Sequence, residues 1–381
     1  MIYADNAATT RISDRAYEQM LPFLREQYGN ASSQYSIGMK AKRAIETARC
    51  QVAVALGAQP IEITFASSGS EINNWVLRNV VESIRSESAH VITSAIEHPS
   101  VLNACRALEK SGIEVTYLPV DRKGNVSVDT VLFAIKHNTK LVSIMLANNE
   151  IGTIQPIAEI CNFLKSRGIL CHTDAVQAVG NIPVDVNDLH IDFLTASAHK
   201  FNGAKGTGIL YVRSGVDFSP LVFGGEQEHG LRAGTENVAG IVAAGYAIEE
   251  RIEVMADEAK RLSTMVKKTV DIVKENIPSV RVNGYGDWRL PGMVNLGFDG
   301  VLGESLLHIL DLKGVCVSTS SACASGKDKP SHVLLALGQT EEQAKSAIRI
   351  SYGRFNREED AAIIAKAICD AYSKIEGIGT I

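Results

Sequence analysis

The fold is decided by the stretch Ile191-Asp-Phe-Leu-Thr-Ala-Ser-Ala-His-Lys-Phe-Asn-Gly-Ala-Lys-Gly-Thr-Gly-Ile-Leu-Tyr-Val212. Its first residues predict a strand, which breaks into small polar residues before His199 and Lys200. A glycine-rich turn follows, and then a second predicted strand, Gly208-Val212. A lysine just beyond a strand end lies where the ligands of open α/β sheets bind.

The same alternation extends over the first two-thirds of the chain, where short apolar runs are separated by segments of helical length. We predict strands at Ile61-Phe65, His90-Thr93, Glu114-Leu118, Leu141-Ala147, Leu170-Thr173, Phe193-Thr195 and Gly208-Val212. These runs are apolar throughout, which is typical of a mostly parallel sheet covered on both faces. The sequence therefore predicts an α/β protein whose large domain holds a mostly parallel, seven-stranded sheet flanked by helices.

After about Gly240 the pattern changes to long amphipathic helices with a few strands, such as Gly292-Phe298. The predicted helices are Val238 to Asn276, Glu304 to Leu312, Glu341 to Ile350 and Glu358 to Glu376. This change predicts a smaller α+β domain. We expect the large domain to span residues 15–255, and the small domain to comprise residues 1–14 and 256–381.

Composition excludes several classes of function. The chain has 381 residues, 45% of them hydrophobic, a net charge of −5 and a pI near 6.0. Without a basic excess or a block of lysines and arginines, it is a poor candidate for direct DNA binding. The N-terminus lacks a basic and apolar leader pattern, and no apolar run is long enough to span a bilayer. We expect a cytoplasmic protein with no membrane partner.

Seven cysteines are scattered along the chain without C-x-x-C pairs, which argues against a disulfide framework and against a metal site. We expect Cys50, Cys105, Cys161, Cys171 and Cys369 to be small apolar fillers. Cys323 differs, because only serine, threonine, alanine and glycine surround it in Ser318-Thr-Ser-Ser-Ala-Cys-Ala-Ser-Gly. Its setting is that of a surface loop.

Lys200 suggests a particular chemistry, since a lysine amine condenses with an aldehyde cofactor to a Schiff base. Asp174 follows the predicted strand Leu170-Thr173, where a carboxylate could pair with a protonated pyridine nitrogen. A helix-capping aspartate would give the same pattern. Gly69 and Ser70 lie between a strand and a helix, so they could bind a phosphate or form an ordinary helix start.

The remaining candidates lie at other strand ends, and each also has an ordinary explanation. Asn149 and Gln177 could contact the ring oxygen of a cofactor, or Asn149 a substrate carboxylate. Asn149 is equally a turn residue and Gln177 an exposed helix residue. His98, directly before a proline, could lie over a planar ring and move protons, although such a histidine is more often a loop residue.

Taken together, these residues fall within motifs that span nearly the whole chain. The motifs are Tyr3-Ala-Asp-Asn-Ala-Ala-Thr-Thr, Gly29-Asn-Ala-Ser-Ser, Ile96-Glu-His, Asn148-Asn-Glu-Ile-Gly, His172-Thr-Asp-Ala-Val-Gln, Ser197-Ala-His-Lys, Arg232-Ala-Gly-Thr-Glu-Asn, Ser321-Ala-Cys and Arg349-Ile-Ser-Tyr-Gly-Arg-Phe-Asn. The chain resembles the fold-type I pyridoxal phosphate enzymes and, among them, the cysteine desulfurases of the NifS/IscS type.

The resemblance implies a cofactor, a reaction and a role for each matched residue. Lys200 would form the Schiff base with pyridoxal 5'-phosphate, and His98 would stack on its ring and assist proton transfer. The other implied cofactor contacts are Asp174 to the pyridinium, Gln177 and Asn149 to the phenolic oxygen side, Gly69, Ser70, Ser197 and His199 to the phosphate, and Thr235 to the phosphate from the second subunit of a homodimer. Arg349 would bind the substrate carboxylate.

The implied reaction converts L-cysteine to L-alanine, with Cys323 in the small domain taking the sulfur as a persulfide for a protein acceptor. That acceptor would serve iron–sulfur cluster assembly or thiolation, but the tail after the last predicted helix is short. The acceptor therefore stays open. Two alternatives are a selenocysteine lyase, which would not need Cys323, and a catalytically idle paralogue that acts as a binding subunit.

Overall fold

The computed structural model of the protein describes residues 1–83, 89–284, 286, 288–319 and 329–378. Cys323 lies outside the described residues. The strands are β1 (Ile2–Tyr3), β2 (Ile63–Ala66), β3 (His90–Ser94), β4 (Glu114–Leu118), β5 (Thr139–Ser143), β6 (Leu170–Asp174), β7 (Phe193–Ser197), β8 (Gly208–Val212), β9 (Arg281–Asn283), β10 (Met293–Gly297), β11 (Val315–Cys316), β12 (Ser318–Thr319) and β13 (Ala347–Ser351).

The helices mostly alternate with these strands. They are α1 (Asp14–Met20), α2 (Pro22–Arg25), α3 (Ser36–Leu56), α4 (Gly69–Ser83), α5 (Pro99–Lys110), α6 (Val128–Ala134), α7 (Ile157–Lys165), α8 (Val238–Asn276), α9 (Gly303–Leu312), α10 (His332–Ala336), α11 (Glu341–Lys345) and α12 (Glu358–Ile378). Short 3₁₀ turns occur at Pro60–Glu62, Ala198–Lys200 and Gln227–Gly230.

Strands β2 to β8 form a seven-stranded sheet in the order β2-β8-β7-β6-β5-β3-β4. All its pairs are parallel except those of β8, which runs antiparallel to β2 and β7. Every residue of β2, β3 and β7 is buried, as expected for strands covered on both faces. The predicted fold class, α/β with a mostly parallel seven-stranded sheet, is confirmed.

One predicted strand is displaced along the chain. The sequence predicts Leu141-Ala147, whereas β5 ends at Ser143. The backbone nevertheless stays beside β6, because the amide N–H groups of Ile144 and Leu146 donate to the carbonyl oxygens of His172 and Asp174. The apolar run therefore continues as extended chain toward the carboxyl edge of the sheet.

The C-terminal part holds a smaller sheet, and here one prediction is wrong. The predicted helix from Glu341 to Ile350 is instead the short helix α11 followed by strand β13. Strand β13 pairs antiparallel with β10 and β12, and all five of its residues are buried. Burial between neighbouring strands overrides the local helical pattern, which shows only the spacing of apolar residues.

Helix α8 contacts both hydrophobic cores. Its first half, including Ile241 and Ala244, packs into the core around the seven-stranded sheet. Its second half, including Leu262 and Val273, packs into the core around the smaller sheet. The predicted boundary at residue 255 falls inside this helix. The division into residues 15–255 and residues 1–14 with 256–381 stays a prediction.

The N-terminal segment also contacts both cores. Strand β1 pairs parallel with β11 near the smaller sheet, and Ala4 lies in the C-terminal core. A few residues later, Ala7 lies in the core of the large sheet. The first ten residues therefore connect the two sheets from one side, while α8 connects them through its length.

Two predictions about the cysteines are wrong: that Cys161 and Cys171 are not joined in a disulfide, and that Cys50 is a core residue. Cys161 on α7 and Cys171 on β6 are joined by a disulfide, because the helix packs on the strand and brings these buried side chains together. Cys50 is exposed on α3 and is therefore not a core filler, whereas Cys105 is fully buried.

In the part of the chain that the structure describes, no helix combines the length and apolar character needed to cross a membrane.

Candidate active site

A cavity of about 280 Å³ opens at the carboxyl edge of the seven-stranded sheet, between that sheet and β13. It is bounded by the residues after β6 and β7 and by the starts of α4 and α5. The predicted site residues that line it are Gly69, Ser70, His98, Asn149, Asp174, Gln177, Ser197, His199, Lys200 and Arg349. Chain segments far apart in sequence therefore place their polar groups around one space.

Lys200 occupies the 3₁₀ turn that follows β7 directly, so its position is fixed by a buried strand. Its Nζ donates to the carbonyl oxygens of Ala7 and Ala8, at 2.6 and 2.8 Å. The amine is thus directed at the cavity by the N-terminal segment. Gln177, whose Nε2 lies 2.9 Å from the same Ala7 oxygen, belongs to this network.

Asp174 is the last residue of β6 and is only 4% exposed. One of its carboxylate oxygens accepts a hydrogen bond from Asn73 Nδ2 at 2.7 Å, and the other accepts from the backbone N–H of Val176 at 3.0 Å. Two donors therefore fix the plane of the carboxylate. A buried carboxylate held in this way is suited to bind a cationic ring nitrogen.

His98 caps the N-terminus of α5, and its ring is oriented by Ser100. The backbone N–H of Ser100 donates to His98 Nδ1 at 3.1 Å, so in the neutral ring Nδ1 is the acceptor and Nε2 carries the proton. Burial lowers the pKa of His98; Asp174 opposes this effect and Lys200 adds to it. The imidazole is therefore neutral at physiological pH, with Nε2 available for proton transfer.

The candidate phosphate-binding residues lie where β2 turns into α4 and where β7 turns into the Lys200 segment. Gly69 begins the fifteen-residue helix α4, whose N-terminal N–H groups favour an anion. A Cβ at Gly69 would lie 2.8 Å from Val176 Cγ2, so a side chain here would crowd the cavity wall. Burial lowers the pKa of His199 to about 4, helped by Lys200 and Lys205, so this ring is neutral as well.

Arg349 lies on β13 opposite the sheet edge, and its side chain is nearly buried. Its Nη2 pairs with Asp5 at 2.6 Å, and its Nη1 donates to the carbonyl oxygen of Asn149 at 2.8 Å. Among the described residues, no group accepts a hydrogen bond from its buried Nε. The guanidinium is thus oriented by the protein and retains donor capacity for a carboxylate.

Thr235 does not lie in this cavity. It lines a separate cleft with Glu228 and Arg232, on the other side of the β2–α4 turn. Arg232 Nε donates to Glu71 Oε1 at 3.1 Å, and Glu71 also accepts from the backbone N–H of Ser67. Within one chain, therefore, Thr235 and the other predicted phosphate contacts are separated. The predicted nucleophile Cys323 lies outside the described residues.

Several residues that shape the cavity were not predicted. Asn73 and Ser100 hold Asp174 and His98, Asp5 holds Arg349, and the carbonyl groups of Ala7 and Ala8 hold Lys200. Asn73 follows Gly69 by one helical turn, so its spacing could have indicated it. Asp5 is in the Tyr3-Ala-Asp-Asn motif, but nothing in its local sequence indicates contact with β13.

Among known protein families, the family described as Aminotransferase class-V matches residues 2–364, a range that includes the residues around the cavity. A cysteine desulfurase IscS of Clostridium botulinum (strain Hall) is 47% identical over 369 residues, which are 96% of this chain and 93% of the relative. The chain belongs to the class-V aminotransferase family, with the cysteine desulfurases of the NifS/IscS type.

Other members of this family support the assignment. The cysteine desulfurase IscS of Dictyoglomus turgidum is 48% identical over 359 residues, which are 94% of this chain and 91% of the relative. Among solved structures, a NifS-like protein superposes with a TM-score of 0.92 at 39% identity, covering 98% of this chain and 99% of its own. A structure described as SspA in complex with cysteine gives a TM-score of 0.81 at 36% identity, covering 92% and 98%.

The cofactor of this family is pyridoxal 5'-phosphate, and the residues around the cavity fit it. Lysine, aspartate and a helix N-terminus are the groups that an aldehyde, a pyridine nitrogen and a phosphate require. Two buried polar atoms at the cavity, Asn73 Oδ1 and Arg349 Nε, have no hydrogen-bond partner among the described residues. Such atoms indicate a polar ligand, because a buried polar group without a partner costs about 1–3 kcal/mol.

Proposed function

We propose that the protein is a pyridoxal phosphate-dependent cysteine desulfurase, which converts L-cysteine to L-alanine and leaves the sulfur on Cys323 as a persulfide. The observation that supports this most strongly is the arrangement of Lys200, Asp174, His98 and Arg349 around one cavity. The relatives named cysteine desulfurase are similar over almost the whole chain.

The cofactor, when bound, makes the α-carbon of an amino acid acidic and its thiol sulfur open to attack. Asp174 would hold the pyridine nitrogen, and the start of α4 with Ser70, Ser197 and His199 would hold the phosphate. Asn149 and Gln177 would lie on the side of the ring oxygen. The positions of these groups around the cavity support those roles.

The reacting groups of the protein act at stated atoms. Lys200 Nζ would bind the cofactor aldehyde and later carry the α-proton, and His98 Nε2 would take and return a proton. Arg349 would bind the substrate carboxylate, which fixes the thiol toward the attacking residue. Overall, L-cysteine and the Cys323 thiol give L-alanine and the Cys323 persulfide, so the sulfur and all protons are accounted for.

A mass-spectrometric experiment tests this function. The purified protein with pyridoxal phosphate is incubated with L-cysteine, and alanine and the mass of the Cys323 peptide are measured. We expect alanine release together with a mass increase of one sulfur atom on Cys323. C323S should abolish alanine formation, whereas C50S, which changes an exposed helix cysteine, should not alter it. Unimpaired alanine formation by C323S would refute the role of Cys323, and no alanine from the unmodified protein would refute the function.

We also propose that the protein acts as a homodimer in which Thr235 reaches the phosphate of the partner subunit. The position of Thr235 outside the cavity of its own chain supports this arrangement. If sedimentation shows that the protein is a dimer, T235A should weaken cofactor binding. Binding is measured by titration, from the absorbance of the bound cofactor. A T235A dimer that binds the cofactor as tightly as the unmodified dimer would contradict this arrangement. We further propose a protein acceptor for the persulfide sulfur, in iron–sulfur cluster assembly or thiolation.

A further inference from the structure

Ser331 and His332, at the start of α10, pack between the two loops that carry His98 and Asn149. The hydroxyl of Ser331 donates to the carboxyl group of Glu150, the residue after Asn149. His332 Nε2 lies 2.9 Å from the carbonyl oxygen of Glu97, the residue before His98. Because a carbonyl oxygen only accepts, His332 Nε2 carries the proton and donates it.

This contact is held in place by apolar packing. The side chains that follow, Val333 and Leu334, are buried in one cluster with Ile96 and Met145. The carboxyl group of Glu97 is also fixed, because Ser94 Oγ and the backbone N–H of Met145 donate to it at 2.6 and 2.9 Å. The Glu97 residue is therefore held at its side chain and at its carbonyl group.

The Glu97 carbonyl belongs to the peptide group that joins Glu97 to His98, so its direction sets where the backbone of His98 begins. On the other side, Pro99 restricts the backbone of His98 to extended conformations, and the observed ψ is 146°. The ring itself is held at Nδ1 by the Ser100 N–H. Of these restraints, the one from His332 comes from a distant part of the chain.

We propose that His332 is a positioning residue for the reaction, which holds the Glu97–His98 peptide so that the His98 imidazole keeps its place over the cavity. His332 touches no cavity atom in this role and acts through His98. The proposal rests on the proposed function only where it concerns turnover, because the position of His98 is a property of the protein itself.

The test compares two replacements of similar size. His332→Gln keeps an N–H donor near the Glu97 carbonyl, whereas His332→Leu removes it. We expect H332L to lower kcat by about 10–100-fold, as expected when a reacting group shifts by about an ångström. KM for cysteine should change less than about twofold, because Arg349 is not affected. H332Q should restore most of kcat, and H308Q, on the exposed face of α9, should resemble the unmodified protein.

A double-mutant cycle shows whether His332 acts through His98. If it does, adding H332L to H98A should lower kcat by less than about a further twofold, because the group that His332 positions is already absent. If H332L lowers kcat as much in the H98A background as in the unmodified protein, the proposal is overturned. The proposal is also overturned if H332Q lowers kcat as much as H332L does, provided that both variants melt at the same temperature as the unmodified protein.

A second measurement does not depend on turnover or on the cofactor. The pKa of His98 is measured by NMR titration in protein without cofactor, with the signal assigned by its loss in H98A. In H332L a loosened ring gains water, so its lowered pKa should rise toward the ordinary value. In H332Q it should stay low. Equal His98 titration in all variants would refute positioning, even if the protein proves to have no desulfurase activity.

Discussion

At the residue scale, the hydrogen bond between Asn73 and Asp174 orients the carboxylate that we propose binds the ring nitrogen of the cofactor. N73A removes the 2.7 Å donor and leaves a buried carboxylate oxygen without its partner. The loss of such a bond costs about 1–3 kcal/mol. We therefore expect the cofactor to bind about tenfold or more weakly to N73A, measured by absorbance titration. N276A, at an exposed helix position, serves as the control and should bind normally.

Glu97 makes the stability of the protein depend on pH. It is fully buried, and burial raises its pKa to about 8. Its folded-state pKa is above the unfolded one, so the folded form holds a proton that the unfolded form loses as pH rises. Its contribution to the free energy of unfolding is complete below about pH 4.5. This contribution is lost as pH rises toward 8, by about 1.4 kcal/mol per pH unit.

E97Q removes this titration while keeping the shape of the side chain. The melting temperature of E97Q minus that of the unmodified protein should therefore be higher at pH 7.5 than at pH 5.5, whatever the difference is at pH 5.5. Thermal unfolding followed by circular dichroism at several pH values measures this difference. A difference that stays constant over that range would show that Glu97 does not titrate there.

At the element scale, the strand–turn–helix from β2 into α4 requires a glycine on the neighbouring strand. A Cβ on Gly208 in β8 would lie 2.7 and 2.8 Å from the backbone carbon and oxygen of Ser68. G208A should therefore displace the start of α4, destabilise the fold by about 1–3 kcal/mol and weaken cofactor binding. Melting and cofactor titration test this. G377A is the matched control, because among the described residues no atom outside the backbone of its own helix and its chain neighbours lies within 4 Å of an added Cβ.

The turn Gln227–Gly230 depends on a buried ion pair. Arg49 donates to both carboxylate oxygens of Glu228 at 2.7 and 3.0 Å, and the backbone N–H of Phe65 also donates there. Glu228 and His229 both have left-handed backbones, with φ of 50° and 57°. The ion pair thus holds an unfavourable turn against β2.

Removing Glu228 leaves the buried Arg49 guanidinium with the half-exposed carboxylate of Glu46 and the carbonyl oxygen of Ile63 as its acceptors. We expect E228L to lower the free energy of unfolding by about 3–5 kcal/mol, measured by denaturant titration. The double variant R49L/E228L should recover a large part of this loss. A single E228L variant as stable as the unmodified protein would mean that Glu46 and the Ile63 carbonyl are sufficient partners for Arg49.

The sequence predicted most of these elements because their signal is local. Buried parallel strands such as β3 and β7 are continuous apolar runs, and α8 has a long amphipathic pattern. Strand β13 was missed because its identity depends on pairing with β10. The site residues were predicted from strand ends, but partners such as Asn73 and Asp5 depend on contacts across the fold, which spacing alone does not show.

At the scale of the whole molecule, the N-terminal segment contacts both Arg349 and Lys200, the residues proposed to bind the substrate and the cofactor. Asp5 pairs with Arg349, and two residues later the Ala7 carbonyl accepts from Lys200. D5N keeps the shape but removes the charge that orients the guanidinium. We expect KM for cysteine to rise about fivefold or more with kcat little changed, since charged hydrogen bonds contribute about 1.5–3 kcal/mol.

Steady-state kinetics of D5N and of the exposed control D14N measure this effect. D14N should match the unmodified protein. A fall in kcat without a change in KM would instead place Asp5 in the positioning of Lys200.

The same segment affects how the protein can be synthesised. The Ala7 N–H donates to Ser351 Oγ, and these residues are separated by 344 positions in the chain. At about 5–20 residues per second, a ribosome takes on the order of tens of seconds to supply that partner. The Ala7 N–H therefore waits longer for its partner than the Ala7 carbonyl waits for Lys200, which is 193 positions away. The contact between the N-terminal segment and β13 thus completes the pocket around Lys200 later than the contacts within the large sheet, so a growing chain cannot hold its cofactor firmly until β13 has been made.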